Sequence, residues 1–171
     1  ALSILGAAKQ LDAEQAKWQS LCDELATEAK AEPNAVKRCI GLAARRLDAA
    51  TRDAYVRLAV FPDDKLLPVE ALRTILPAGV REALGKLAER HLVRIEADGG
   101  VERVRLHDLS LEFVKERATQ ELKGGEAGLH AELLDRYAGV LRAPGEWWTG
   151  PHDGYFFEGL LHHLGAAGRL P

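Results

Sequence analysis

Val93-Arg94-Ile95-Glu96-Ala97-Asp98-Gly99-Gly100-Val101-Glu102-Arg103-Val104-Arg105-Leu106 is the stretch on which the fold turns. Val93 to Glu96 alternates apolar and polar residues, and Val101 to Leu106 does so again. Successive side chains of a strand point to opposite faces, so each run predicts a half-buried strand. Ala97-Asp98-Gly99-Gly100 stands between them as a Gly-rich turn. The two runs are therefore expected to pair as a β-hairpin.

Three short helices are expected upstream of it. Asp48 caps the first, which runs to about Ala59 with Tyr55, Leu58 and Ala59 inward. Phe61-Pro62-Asp63-Asp64 is a loop, since Pro and Asp favour turns. Pro68 opens the second helix, Val69 to Leu76, and Pro77-Ala78-Gly79 breaks it. The third, Val80 to His91, spaces Val80, Leu84, Leu87 and Leu92 for one face. Three short helices followed by a hairpin is the order of a winged helix, a variant of helix-turn-helix.

Further out, the pattern is helical on both sides. Leu109, Phe113, Val114 and Ala118 share a stripe that begins directly after His107-Asp108, with Asp108 as a candidate cap. Lys123-Gly124-Gly125 reads as a flexible joint, and Leu129, Leu133, Leu134, Tyr137 and Leu141 define a long amphipathic helix. A turn-rich stretch with Trp147 and Trp148 precedes a last helix carrying Phe157, Leu160, Leu161 and Leu164. The Trp pair is expected to pack in the core. Toward the N-terminus, residues 2–9 resemble the tail of a buried helix. Asp12 caps a helix with Trp18, Leu21, Cys22 and Leu25 on one face, and Glu32-Pro33-Asn34 interrupts it. Val36, Cys39, Ile40, Ala43 and Leu47 stripe the next. The expected fold is mainly α, with helical bundle units flanking a winged-helix domain that contributes one small β-hairpin.

Of the 171 residues, 47% are hydrophobic and 29% charged, the balance of a folded globular chain. The net charge of −3 argues against a general nucleic-acid or membrane-surface binder. Cys22 and Cys39 are expected to be buried thiols, without a disulfide or metal role. No apolar run reaches the ~20 residues of a membrane span, and no signal-peptide pattern opens the sequence. The cytoplasm is the expected compartment. With no Met, and with ends at Ala1 and Pro171 that look cut, the chain is expected to be a piece of a longer protein.

No catalytic motif is present: neither a phosphate loop nor a Gly-x-Ser-x-Gly elbow. His162-His163 are adjacent, so a helix turns them apart, whereas a helical zinc pair wants i, i+4 spacing. They are expected to be solvated or hydrogen-bonded, and no metal site is expected. Glu112 and Glu116 lie on a solvated face. His107 stands apart, because it sits where a strand hands over to a helix. There it can donate to an anion, aided by the partial positive charge of the helix N-terminus. It can equally bond a nearby backbone carbonyl. DNA binding finds little support, since Arg81, Lys86 and Arg90 alternate with Glu82 and Glu89 on the third helix, and Arg94, Arg103 and Arg105 with Glu96, Asp98 and Glu102 on the wing, which leaves no phosphate-tracking stripe.

Motifs in order along the chain resemble the regulatory half of the NB-ARC (STAND) ATPases, the class of apoptotic protease-activating factors and plant resistance proteins. Ala1-Leu2-Ser3-Ile4-Leu5-Gly6-Ala7 resembles the tail of the family's Gly-Leu-Pro-Leu-Ala-Leu motif. Leu58-Ala59-Val60-Phe61-Pro62 resembles the Leu-x-x-Phe-Pro of its winged helix, and Leu87 to Val93 its Leu-x-x-Arg-x-Leu-Leu helix. Leu106-His107-Asp108-Leu109 resembles the Met-His-Asp motif, with Leu for Met. Tyr155 to Arg169 resembles the helical segment that precedes WD or other repeats.

The resemblance implies a small helical domain at 1–47, a winged helix at 48–119 and the start of a second helical domain at 120–171. It implies that His107 senses the phosphate of ADP in the parent protein, with Asp108 shaping its turn. The phosphate-loop domain is missing, so the chain is expected to be no enzyme and to hold ADP or ATP tightly only within the parent. The implied partners are the parent's nucleotide-binding domain, further copies in an activated homo-oligomer, and downstream repeats. The implied role is autoinhibition in signal transduction. Two rivals remain at this stage, a DNA-binding transcription regulator and a plain helical connector.

Overall fold

The computed structural model describes residues 14–27, 32–63, 65–76 and 79–170. The expected helix tail at 2–9, the Asp12 cap and the motif at 1–7 lie outside the described residues. The chain divides into two compact units between Leu42 and Ala43. No described helix is long and apolar enough to cross a membrane.

The first unit contains helix α1 (residues 14–27), and α2 (Ala35–Arg45) runs across the division. Asn34 starts α2: its Oδ1 accepts from the N–H groups of Val36 and Lys37 at 2.9 and 3.2 Å. Two expectations fail here. Trp18 is 67% exposed, and Cys22 and Cys39 are both exposed rather than buried. A helical period identifies which residues share a face, but it does not supply a surface to cover that face.

The second unit is built on the winged-helix order. Helix α3 (Ala49–Arg57) is extended by a 3-10 turn at Leu58–Val60. Strand β1 (Leu67–Pro68), α4 (Val69–Ile75), α5 (Val80–Glu89), β2 (Arg94–Asp98) and β3 (Val101–Arg105) follow. Asp48 caps α3 as expected, its carboxylate accepting from the Thr51 N–H at 2.9 Å and the Thr51 hydroxyl at 2.8 Å. The hairpin pairs Arg94 with Arg105 through to Asp98 with Val101. Gly99 and Gly100 both have positive φ, 57° and 81°, which a two-residue turn of type I′ requires. The sheet has a third strand that the sequence did not reveal: β1 pairs antiparallel with β3, giving the order β1-β3-β2. Two residues carry no alternation, and the second is a proline, which cannot donate to a ladder and is tolerated at an edge.

Three more helices complete the unit: α6 (Asp108–Glu121), α7 (Gly125–Ala138) and α8 (Phe156–Ala166). Residues 48–119 and 120–171 share this single compact unit. The Lys123-Gly124-Gly125 stretch is a tight corner, with Gly124 at φ 80° and Gly125 at 58° reversing the chain between α6 and α7. Helix α6 packs on α3 and its 3-10 extension, and α7 packs on α4, α6 and α8. The core they enclose includes Tyr55, Leu58, Phe61, Leu72, Leu84, Leu87, Val104, Val114, Leu133 and Leu134. Arg57 ties the polar side of α3 to α7, with its guanidinium 2.7 Å from both Asp53 and Glu132. Trp147 is half-buried and stacks on Phe156, but Trp148 is 72% exposed, so only one of the pair packs inward.

Two measurements test this account. The Thr51 N–H and hydroxyl, then the Lys86 ammonium, hold the Asp48 carboxyl far below its ordinary value of 3.8. A carboxyl with a depressed folded-state pKa adds stability above its ordinary value, and that increment is lost as pH falls through the folded-state value. Asp48→Ala should lower the melting temperature near neutral pH, and the gap from wild type should narrow in strong acid. At Gly150 a Cβ would run into the Phe156 ring. Gly150→Ala should therefore cost about 1–3 kcal/mol in denaturant unfolding.

Candidate functional site

Three elements converge at the base of the hairpin. Helix α5 ends there in a paired cap: the Leu92 N–H reaches the Leu87 carbonyl and the His91 N–H reaches the Ala88 carbonyl, both at 3.0 Å. This geometry forces the intervening residue into the left-handed region, where glycine is usual. His91 occupies it at φ 56°, the one non-glycine among the described residues to do so. Leu92 and Val93 then turn inward, which carries the chain into β2 with Arg94 exposed. Across the ladder Arg94 faces Arg105, and three residues later α6 begins.

His107 is the N-cap of α6, and Asp108 is its first helical residue. The expected assignment of the cap to Asp108 is thereby corrected. The backbone of His107 is extended (φ −72°, ψ 145°), as a capping residue requires, and its Nδ1 accepts from the Leu109 N–H at 3.4 Å. With Nδ1 as acceptor, the neutral ring carries its proton on Nε2, a donor available to a partner outside the helix. The His107 side chain is exposed, and so is Asp108, whose carboxylate complements the positive end of the helix dipole.

His91, Arg94, Arg105 and His107 line a groove of about 540 Å³, together with Ala88, Leu92, Val93 and Ile95. Among the described residues, none that lines it is acidic. Glu96 stands outside the groove and pairs with Arg94 at 3.1 Å. Two arginines, one of them paired with Glu96, and two histidines line one groove, a set that suits an anion with several oxygens. The sequence reading named His107 and Asp108. It set Arg94 and Arg105 among the interleaved charges of the wing and joined neither them nor His91 to His107, although hairpin register and the α5 cap bring all four to one groove.

The sequence matches no protein-family model, and no curated protein matches it.

A second cluster lies apart from the groove, at the seam of α7 and α8. His130 and His163 are buried there with their Nδ1 atoms 2.7 Å apart. Burial keeps both rings below the ordinary histidine range, and so neutral near pH 7. His163 was expected to be solvated or hydrogen-bonded, and it is hydrogen-bonded, to Tyr155 as well as to His130. The signal for both was present: His130 lies four residues before Leu134 and seven before Tyr137, on the inward stripe, and His163 lies seven after Phe156.

The left-handed backbone of His91 gives a direct test. A non-glycine residue there costs about 1–2 kcal/mol, and the extra freedom of glycine in the unfolded chain returns about 0.5–1 of that. His91→Gly should raise the unfolding free energy by up to about 1 kcal/mol and weaken anion binding in the groove. A fall in stability would mean that the imidazole makes a contact worth more than the strain.

Proposed function

We propose that this chain is the nucleotide-state-sensing, autoinhibitory part of an NB-ARC-type (STAND) ATPase switch, acting in the cytoplasm. The observation that carries the reading is the position of His107. It caps α6 with an exposed ring on a groove that also holds Arg94, Arg105 and His91 and no lining carboxylate. The resemblance of Leu106-His107-Asp108-Leu109 to the Met-His-Asp motif supports the same residue independently of the groove.

A bound diphosphate supplies negatively charged oxygens. The groove supplies donors to such a group: Nε2 of His107 and the guanidinium of Arg105 are hydrogen-bond donors, and Arg94 would turn to phosphate from its pair with Glu96. The adenosine end and the hydrolytic machinery belong to the nucleotide-binding domain of the parent protein, the first partner of this chain in the proposal. His107 is rigidly joined to both the hairpin and α6. A contact from it to phosphate therefore ties the whole second unit to that domain. Releasing the tie frees the unit to move as a body toward an assembly of several copies. A ligand shifts such an equilibrium only by its differential contacts in the two states, and His107 is the residue that makes them. The downstream partner in the proposal is a set of sensor repeats, WD or similar.

The charges on α5 weigh against the DNA-binding rival. Arg81 pairs with Glu102 at 2.7 Å, and Lys86 with Glu82 and Asp48 at 2.8 and 3.2 Å. The third helix thus presents neutralised pairs rather than a basic stripe for a phosphate backbone.

The test compares the parent protein in wild-type, His107→Ala and Arg105→Ala forms, reading copurified nucleotide and mass in solution. Loss of bound ADP from His107→Ala, with a shift to larger assemblies, is the expected outcome. Arg105→Ala should weaken nucleotide retention about tenfold, the effect of losing one charged hydrogen bond. Unchanged nucleotide and unchanged mass in both variants would remove the groove from the mechanism.

A further inference from the structure

The imidazoles at the seam of α7 and α8 play no part in the switch. His130, on α7, is 2% exposed and His163, on α8, is 1% exposed. The Nε2 atom of His163 lies 2.8 Å from the hydroxyl of Tyr155, itself buried. The Nε2 atom of His130 faces the Glu126 carboxylate, one turn earlier on α7, at 3.9 Å. Each ring thus turns Nε2 to an oxygen and Nδ1 to the other ring, with 2.7 Å between the two Nδ1 atoms.

A third imidazole shares the place. His162 is exposed on α8 and stands edge-on to both buried rings, at 5.3 Å from His130 and 5.2 Å from His163 between ring centres. Adjacent helical residues do point apart, but His130 from α7 enters the angle between them. One nitrogen from each of the three rings lies within 4.8 Å of one from each of the others.

Whichever tautomers the rings adopt, the two Nδ1 atoms meet 2.7 Å apart, with either a proton or a cation between them. Two bare lone pairs at that distance would repel. A metal ion meets the need, and histidine ligands ordinarily carry such an outer partner on the second nitrogen, a carboxylate or another oxygen. Tyr155 stands where such a partner belongs on His163, and Glu126 lies 3.9 Å from Nε2 of His130. We propose that His130, His162 and His163 form a binding site for a divalent transition-metal ion, with zinc as the preferred occupant. Three imidazoles with an exposed side suit zinc, which takes a water as its fourth ligand. Such an ion at bonds of about 2.0–2.1 Å holds its nitrogens about 3.3 Å apart, so the buried pair opens by about 0.6 Å on binding. The ion joins α7 to α8 across 33 residues of chain.

The experiment uses the full chain stripped with chelator, titrated with Zn²⁺ by calorimetry and with Co²⁺ by visible absorption near neutral pH. His162→Ala is the informative variant, because an exposed side chain can be removed without unfolding the seam. The expected result is one Zn²⁺ per chain, a visible spectrum of four-coordinate Co²⁺, and a higher melting temperature with Zn²⁺. In His162→Ala the affinity should fall by about tenfold or more, while the metal-free melting temperature stays that of wild type. His107→Ala serves as control and should bind as wild type does. Less than one equivalent of Zn²⁺, equal affinity in His162→Ala, or loss of binding in His107→Ala would each overturn the proposal. In the first two cases His130 and His163 are a hydrogen-bonded core pair.

Discussion

Leu129, Leu133, Leu134 and Tyr137 put one stripe of α7 out of water, and that burial is the constraint under which the second unit is assembled. Helix α7 packs on α4, α6 and α8. Each such side chain gains about 1.5–3 kcal/mol by leaving water. Polar links then fix how α7 sits. Glu132 receives Arg57 from α3, and the Arg136 guanidinium reaches the Thr74 carbonyl of α4 at 3.1 Å. The Tyr137 hydroxyl donates to Asp153, whose other carboxylate oxygen accepts from the N–H groups of Tyr155 and Phe156. One aspartate therefore starts α8 and anchors it to α7. That anchoring brings Tyr155 and His163 under His130.

The reading of the sequence succeeded where the cause of structure is local. The hairpin about Gly99-Gly100, the Asp48 cap and the stripes of α6 and of α7 up to Tyr137 are decided by residues within a few positions of one another and are present in the structure. Leu141 falls beyond the end of α7 at Ala138, while Ile95 and Val101 of the hairpin are exposed. It failed where the cause is distant. Strand β1 is defined by its partner at Val104 rather than by any pattern in Leu67-Pro68. Trp18, Cys22 and Cys39 share helical faces as expected, yet sharing a face did not bury them. The final helix was read from Phe157, Leu160, Leu161 and Leu164, while the structure buries Phe156, Gly159 and His163 instead. In α8 the large apolar residues Phe156, Phe157, Leu160, Leu161 and Leu164 fall on more than one face, so periodicity could not choose the inward side.

The two clusters differ in how far the sequence could show them. His107 announced itself by standing between a strand pattern and a helix pattern. Its neighbours in the groove did not, because Arg94 and Arg105 meet only through the hairpin register and His91 only through the cap of α5. The histidines of the seam were visible one at a time, and each taken alone reads as an ordinary polar residue. Their convergence is a property of how α7 and α8 pack, which no spacing within either helix records.

The strand order β1-β3-β2 also bears on how the chain folds. The pairing of β2 with β3 closes over two glycines, a local event on the time scale of about 1–10 μs for a hairpin. The pairing of β1 with β3 must bring together residues separated by the whole of α4 and α5, at a much larger entropic cost. The hairpin is thus available as a template before β1 can add to it. Docking of β1 and the helices that follow it sets the slower step, because non-local contacts govern the rate at which small domains fold.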